Sequence, residues 1–161
     1  MDTDILFQKT LEYILRAPKT ERQVRAWLFK KRKEGEFLDV DGIITKLKVL
    51  GYINDAEYAT RFAEAKQNKL GMRNIKCKLA VKGVAREHID ELATPDQTDL
   101  ARSLAEKYMR KYSPLERRGG SEADGVVCDQ KTLQKLYRYL LSKGFDCDTV
   151  SYVTGLLRTS Q

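Results

Sequence analysis

Two stretches of the chain superpose without a gap. Lys78-Leu79-Ala80-Val81-Lys82-Gly83-Val84, then Ile89 and Leu92, lies against Tyr139-Leu140-Leu141-Ser142-Lys143-Gly144-Phe145, then Val150 and Val153, at a constant offset of 61 residues. Each stretch reads as a helix, a Lys-Gly-apolar corner, a short link and a second helix. Glycine suits the corner because it enters the left-handed region without a Cβ penalty. An earlier stretch fits more loosely: Leu28 and Lys31 fall in place, Arg32 replaces the glycine, and an insertion from Lys33 to Leu38 follows. A unit of two or three helices is too small to close its own core, so repetition of this kind implies neighbours that share one.

The rest of the chain agrees with a helical reading. Apolar residues recur at helical spacing in Tyr58, Ala59, Phe62 and Ala63, in Leu100, Leu104, Tyr108 and Tyr112, and in Leu133, Leu136, Tyr137 and Leu140. No alternating strand pattern stands between turns. Asn54 with Glu57, Thr20 with Gln23, Thr94-Pro95-Asp96-Gln97, and Asp146 with Asp148 are expected helix starts. Gly51, Gly83 and Gly144 are expected helix ends. Helices are predicted over 3–16, 20–33, 40–50, 55–70, 72–82, 86–93, 96–112, 130–143 and 147–158.

The fold class expected is therefore all-α: tandem three-helix repeats forming an elongated, curved array, with an extra N-terminal helix. The divisions drawn are residues 1–18 (N-terminal helix), 19–70 (first repeat), 71–112 (second), 113–128 (a loop with Pro114 and Gly119-Gly120) and 129–161 (a third repeat, truncated after two helices).

Charge narrows the function. The 161 residues carry 30 Lys and Arg against 23 Asp and Glu, a net of +7, which favours anionic partners. Three cysteines without paired spacing argue against a disulfide framework and fit a reducing cytosol. No apolar run is long enough for a membrane helix, and the acidic start (Met1 to Asp4) is unlike a secretory leader, so a cytoplasmic protein is expected. Catalysis has little support. His88 is the only histidine and has no cysteine at ligand spacing, and Gly119-Gly120 lacks the Lys-Ser/Thr of a phosphate loop. No enzyme activity, catalytic residue, metal or cofactor is expected.

Binding residues are sought among the cations. Lys19 to Lys33 holds seven cations against Glu21 alone; Arg22, Arg25, Lys30, Lys31, Arg32 and Lys33 are the candidates there. Arg73, Lys76, Lys78 and Lys82, with Arg86, form a second group, and Lys131, Lys135 and Arg138, with Lys143, a third whose first three members make a stripe at helical spacing. Trp27, Tyr108, Tyr112 and Tyr137 fall on apolar stripes and read as core; Tyr139 lies off its stripe and is the better surface candidate.

The ordered motifs resemble the RecX family. They are Thr20-Glu21-Arg22-Gln23-Val24-Arg25, Leu50-Gly51-Tyr52-Ile53-Asn54-Asp55, Tyr58-Ala59, Gly71-Met72-Arg73, Leu79-Ala80-Val81-Lys82-Gly83-Val84 and Leu140-Leu141-Ser142-Lys143-Gly144-Phe145. Gln23 stands where that family often has an acid, and residues 1–17 fall outside the pattern. The resemblance implies a tandem three-helix protein that binds the RecA recombinase filament along its groove. It also implies inhibition of ATPase, strand-exchange and co-protease activities in recombination and the SOS response. A monomer is expected. The competing reading is a stand-alone helical protein that binds single- or double-stranded DNA non-specifically.

Overall fold

The computed structural model describes residues 3–31, 39–112 and 130–159. Among these the regular structure is helical throughout: α1 (Thr3–Leu15), α2 (Glu21–Lys31), α3 (Val40–Val49), α4 (Asp55–Lys66), α5 (Met72–Val81), α6 (Arg86–Asp90), α7 (Thr98–Tyr112), α8 (Gln130–Lys143) and α9 (Cys147–Thr159). The expected loop over 113–128 and the insertion before α3 lie outside the described residues.

The helix starts follow the capping chemistry written in the sequence. Thr20 and Gln23 form a reciprocal box: Gln23 N donates to Thr20 Oγ1 (3.3 Å) and Thr20 N donates to Gln23 Oε1 (3.2 Å). Asp39, Asn54 and Asp146 accept from the amides of Gly42, Glu57 and Thr149. Glu57 turns instead to Arg61, at 2.6 Å. The predicted start at 96 is displaced. Asp96 accepts from both the amide and hydroxyl of Thr98, so α7 opens at Thr98 and leaves Gln97 free for another helix.

The ends of α3, α5 and α8 share one geometry. At Gly51, Gly83 and Gly144 the backbone enters the left-handed region, with φ of 75°, 84° and 90°. Around each, the glycine amide and the following amide bond back into the last turn. Gly144 N donates to Leu141 O and Phe145 N to Leu140 O, as Gly83 N does to Ala80 O and Val84 N to Leu79 O. This double closure satisfies carbonyls that the helix end would leave bare. The residue after each glycine, Ile53's neighbour Tyr52 excepted, is buried: Val84 is 5% and Phe145 1% exposed.

The chain folds as two compact bodies. The first takes the chain up to Ala65 together with Lys76–Ala93; the second takes Lys66–Ile75 together with Thr94 onward. The core of the first is built by α1, α2 and α3. Leu6 and Ile14 of α1 meet Val24 and Leu28 of α2 and Val40, Ile43, Ile44 and Leu47 of α3. Helix α1, set apart from the repeats by the sequence, is thus a full partner in this core. In the second body α7, α8 and α9 all pack on one another. Ala101, Ala105 and Met109 face Leu136, Leu140, Phe145, Val150 and Val153. Packing therefore gives α8 and α9 a third helix, α7. The corner-centred divisions assigned that helix to the preceding repeat and left the last repeat with two. A corner repeated at constant spacing sets the length of a repeat but not where it begins.

Each body seats the N-terminus of a helix on a Lys-Gly corner. In the first, Thr20 Oγ1, fully buried, donates to Lys82 O (2.7 Å), and Glu21 N donates to Asp55 Oδ1 (2.9 Å). In the second, Gly71 N donates to Lys143 O (2.8 Å), Arg73 N to Gly144 O (3.2 Å) and Met72 N to Gln97 Oε1 (2.8 Å). Asn74 Nδ2 adds a bond to Ser142 O (2.7 Å). Helix amides without intrahelical partners are thereby satisfied away from water.

An alanine series separates the two demands on these glycines. A Cβ on Gly51 would meet open space, whereas one on Gly144 would strike Asn74. Gly51→Ala is expected to cost roughly 1–2 kcal/mol, the left-handed penalty alone. Gly144→Ala should cost clearly more, and Gly71→Ala, whose Cβ would strike the Gly144 carbonyl, should prevent a cooperative melt of the second body. Chemical denaturation of the three variants checks the ranking.

Candidate partner-binding surface

The basic run on α2 divides once it is folded. Arg25 joins a charge cluster at the surface, with Nη1 2.6 Å from Asp41 Oδ1 and Nη2 3.0 Å from Glu21 Oε1. Lys48 Nζ closes on Glu21 Oε2 at 2.6 Å. The bonds from Lys48, then Arg25, hold the Glu21 carboxyl below the usual carboxylate range against the cost of burial. Asp41 raises Arg25 in turn. Arg25 is therefore spoken for within the fold. Arg22 and Lys30 are exposed, and Arg22 lays its stem along Gly83. Lys31 is exposed with Nζ 5.8 Å from the Trp27 ring centre. Arg32 and Lys33 lie outside the described residues. Trp27 is half-buried and stacks on Tyr13 at 5.0 Å, which accords with a core role.

Behind this cluster is an open cleft of about 540 Å³, lined among others by Glu21, Arg25, Lys48, Asp55 and His88. Burial pushes the Asp55 carboxyl up, opposed by the amide of Glu21 that donates to it. His88 Nδ1 is out of reach of solvent without a hydrogen bond; Glu91 stands 3.8 Å away and pairs with it only when the imidazole is protonated. Among the described residues no set of three His, Cys, Asp or Glu side chains could hold a metal, and Cys77 and Cys147 are free and exposed.

The other two basic groups are open to solvent. Arg73 and Lys78 are exposed and Lys76 partly so, while Lys82 rests over the Phe62 ring at 5.6 Å. Lys131, Lys135 and Arg138 are exposed along α8. Arg73 lies in the part of α5 that belongs to the second body, Lys76 and Lys78 in the part that belongs to the first. The sequence did not single out Lys48, whose pairing needs α2 and α3 side by side. Nor did it place Tyr112 correctly. Expected in the core, Tyr112 is 54% exposed, because it falls at the last turn of α7, one turn beyond the buried Met109. Tyr139, the expected surface residue, is half-buried and rests on Tyr108.

A pH titration tests the cluster. Glu21 has a folded value below its unfolded one. Its contribution is full at neutral pH and disappears as pH falls through the folded value. Glu21→Gln should thus be less stable than the native chain near neutrality, with the gap closing as pH falls below the ordinary carboxylate range. Parallel thermal melts of the two proteins across that range measure it.

Comparison with known proteins finds relatives that share this pattern over most of the chain. The family model described as the second three-helix domain of RecX matches residues 54–92, the stretch holding α4, α5 and α6. The regulatory protein RecX of Clostridium beijerinckii is 35% identical over 150 residues, which cover 91% of this chain and 65% of that protein. That of Clostridium perfringens strain 13 is 32% identical over 147 residues, 89% of this chain and 64% of that protein. The chain spans just under two thirds of the length of these curated relatives. The crystal structure of RecX from Lactobacillus salivarius superposes with a TM-score of 0.76 at 25% identity, covering 98% of this chain and 97% of that one.

Proposed function

We propose that this chain, similar over nine tenths of its length to a RecX regulatory protein, is a member of that family and regulates the RecA recombinase filament by binding it, curbing ATP hydrolysis, strand exchange and co-protease activity in recombination and SOS repair. The observation that carries this reading is the 35% identity to a named regulatory protein over nine tenths of the chain. The surface is consistent with such a role. Exposed cations on α2 and α8 stand outside the ion pairs that hold the fold, so they are available to an acidic partner surface. Inhibition by occupancy needs no catalytic group, and the cleft by His88 holds charges engaged with one another rather than a nucleophile beside a base.

Among the described residues, no helix is long and apolar enough to cross a membrane. In this reading the first body contributes Arg22, Lys30 and Lys31 on α2 and Lys78 on α5, and the second body contributes Lys131, Lys135 and Arg138 on α8. Arg25 is left out, since its guanidinium is committed to Glu21 and Asp41.

The experiment follows RecA-dependent ATP hydrolysis and strand exchange on single-stranded DNA while the purified chain is added. Loss of both at stoichiometric amounts is expected; no loss rejects the reading. Arg22→Glu with Lys30→Glu should raise the concentration for half-inhibition by about tenfold without lowering helicity. Arg25→Glu should instead lower the melting temperature, because it places a third carboxylate against Glu21 and Asp41.

A further inference from the structure

The second body carries a row of three tyrosine rings. Tyr108 of α7 is flanked by Tyr112, one turn on, at 4.5 Å and 35° between ring planes, and by Tyr139 of α8 at 4.6 Å and 32°. Each outer ring has an ammonium above it: Lys111 Nζ stands 5.4 Å from the centre of Tyr112 and Lys143 Nζ 5.2 Å from that of Tyr139. The row is not sealed, since Tyr112 is 54% exposed.

Among the described residues, cations predominate on the two helices that carry the row. Helix α8 contains no acid. In the second half of α7 the single acid, Glu106, is engaged by Arg102 at 3.2 Å. Lys107, Arg110, Lys135 and Arg138 are exposed on the same two helices.

We infer that this row is a binding site for single-stranded nucleic acid, in which bases stack on the tyrosine faces and Lys111 and Lys143 move from the rings to the phosphates. A row of π faces joined to mobile cations is the combination that a single strand uses and other anions do not. Every base has a π face, and every nucleotide brings one negative charge. A duplex keeps its bases stacked on each other and offers the row only phosphates. An acidic peptide would take the lysines and leave the rings idle. A lysine over an exposed ring is weakly held and readily exchanges that contact for an anion. This site stands on its own geometry and does not depend on the recombinase reading.

The test uses the full chain without recombinase and follows the fluorescence anisotropy of a labelled oligothymidylate of about sixteen nucleotides in low salt. Binding is expected, and Tyr112→Leu should weaken it by about tenfold, the lower range for loss of one base stack. Tyr112→Trp should retain it, and an abasic oligomer of equal length should bind the native chain as weakly as oligothymidylate binds the Leu variant. Lys111→Gln with Lys143→Gln should flatten the salt dependence. Tyr112 is exposed at a helix end, so its replacements leave the core intact. The inference is overturned by no binding in low salt, by equal binding of thymidylate and abasic strands, by a Leu variant that binds like the native chain, or by polyglutamate or duplex competing as well as the single strand. Each result leaves inhibition of RecA as a separate measurement.

Discussion

The fold depends on how helices α2 and α5 satisfy their first amides. Both begin where no preceding turn can accept from them, and both are buried there. In each case a carbonyl of a Lys-Gly corner takes one donor: Lys82 O from the Thr20 hydroxyl, Lys143 O from the Gly71 amide. In each case a side chain at the start of another helix takes the next amide: Asp55 that of Glu21, Gln97 that of Met72. The corner can offer its carbonyls because glycine has turned the chain out of the helix, so one residue type both ends one helix and receives another. The apolar cores add bulk stabilisation, but these bonds fix which helix end meets which corner. A buried amide left without a partner would cost about 1–3 kcal/mol.

This arrangement explains what was legible in advance. The corner is local: a glycine in the left-handed region and a buried apolar residue after it leave a signature within six residues. Periodicity and caps likewise placed nearly every helix within a few residues. The grouping of helices was not local. The packing of α7 on α8 and α9 rests on Ala101, Ala105 and Met109 finding Leu140 and Val153, partners separated by a stretch whose length says nothing about pairing. The displaced start of α7 has the same origin, since Gln97 could cap its own helix or serve Met72, and only the assembled body decides.

The surface was harder to read for a related reason. A run of cations is visible in any sequence, but a charge is available only if nothing nearby has claimed it. Arg25 is claimed by Asp41 on α3, and Glu21 is shared between Arg25 and Lys48. Tyr112 left its expected place in the core because a helical stripe states direction and not depth: the stripe on α7 outruns the core it points to. The likeness to RecX proteins, by contrast, was legible from ordered motifs, most of which are corners, helix starts and their neighbours. Those are the parts the architecture constrains most tightly.

The two seats share a design but differ in one atom type. The seat in the second body is made of backbone carbonyls and a neutral amide, Gln97, none of which exchanges a proton at any pH a cell meets. The seat in the first body uses the carboxylate of Asp55, whose affinity for a proton burial has raised. An ionised carboxylate is the stronger acceptor for the Glu21 amide. As acid is added, Asp55 takes up its proton earlier than an ordinary aspartate and its grip on α2 slackens, while α5 is held as before. One joint of the molecule therefore registers acidity and the other is indifferent to it, a difference set by the exchange of a single amide for an acid at matching places in the fold.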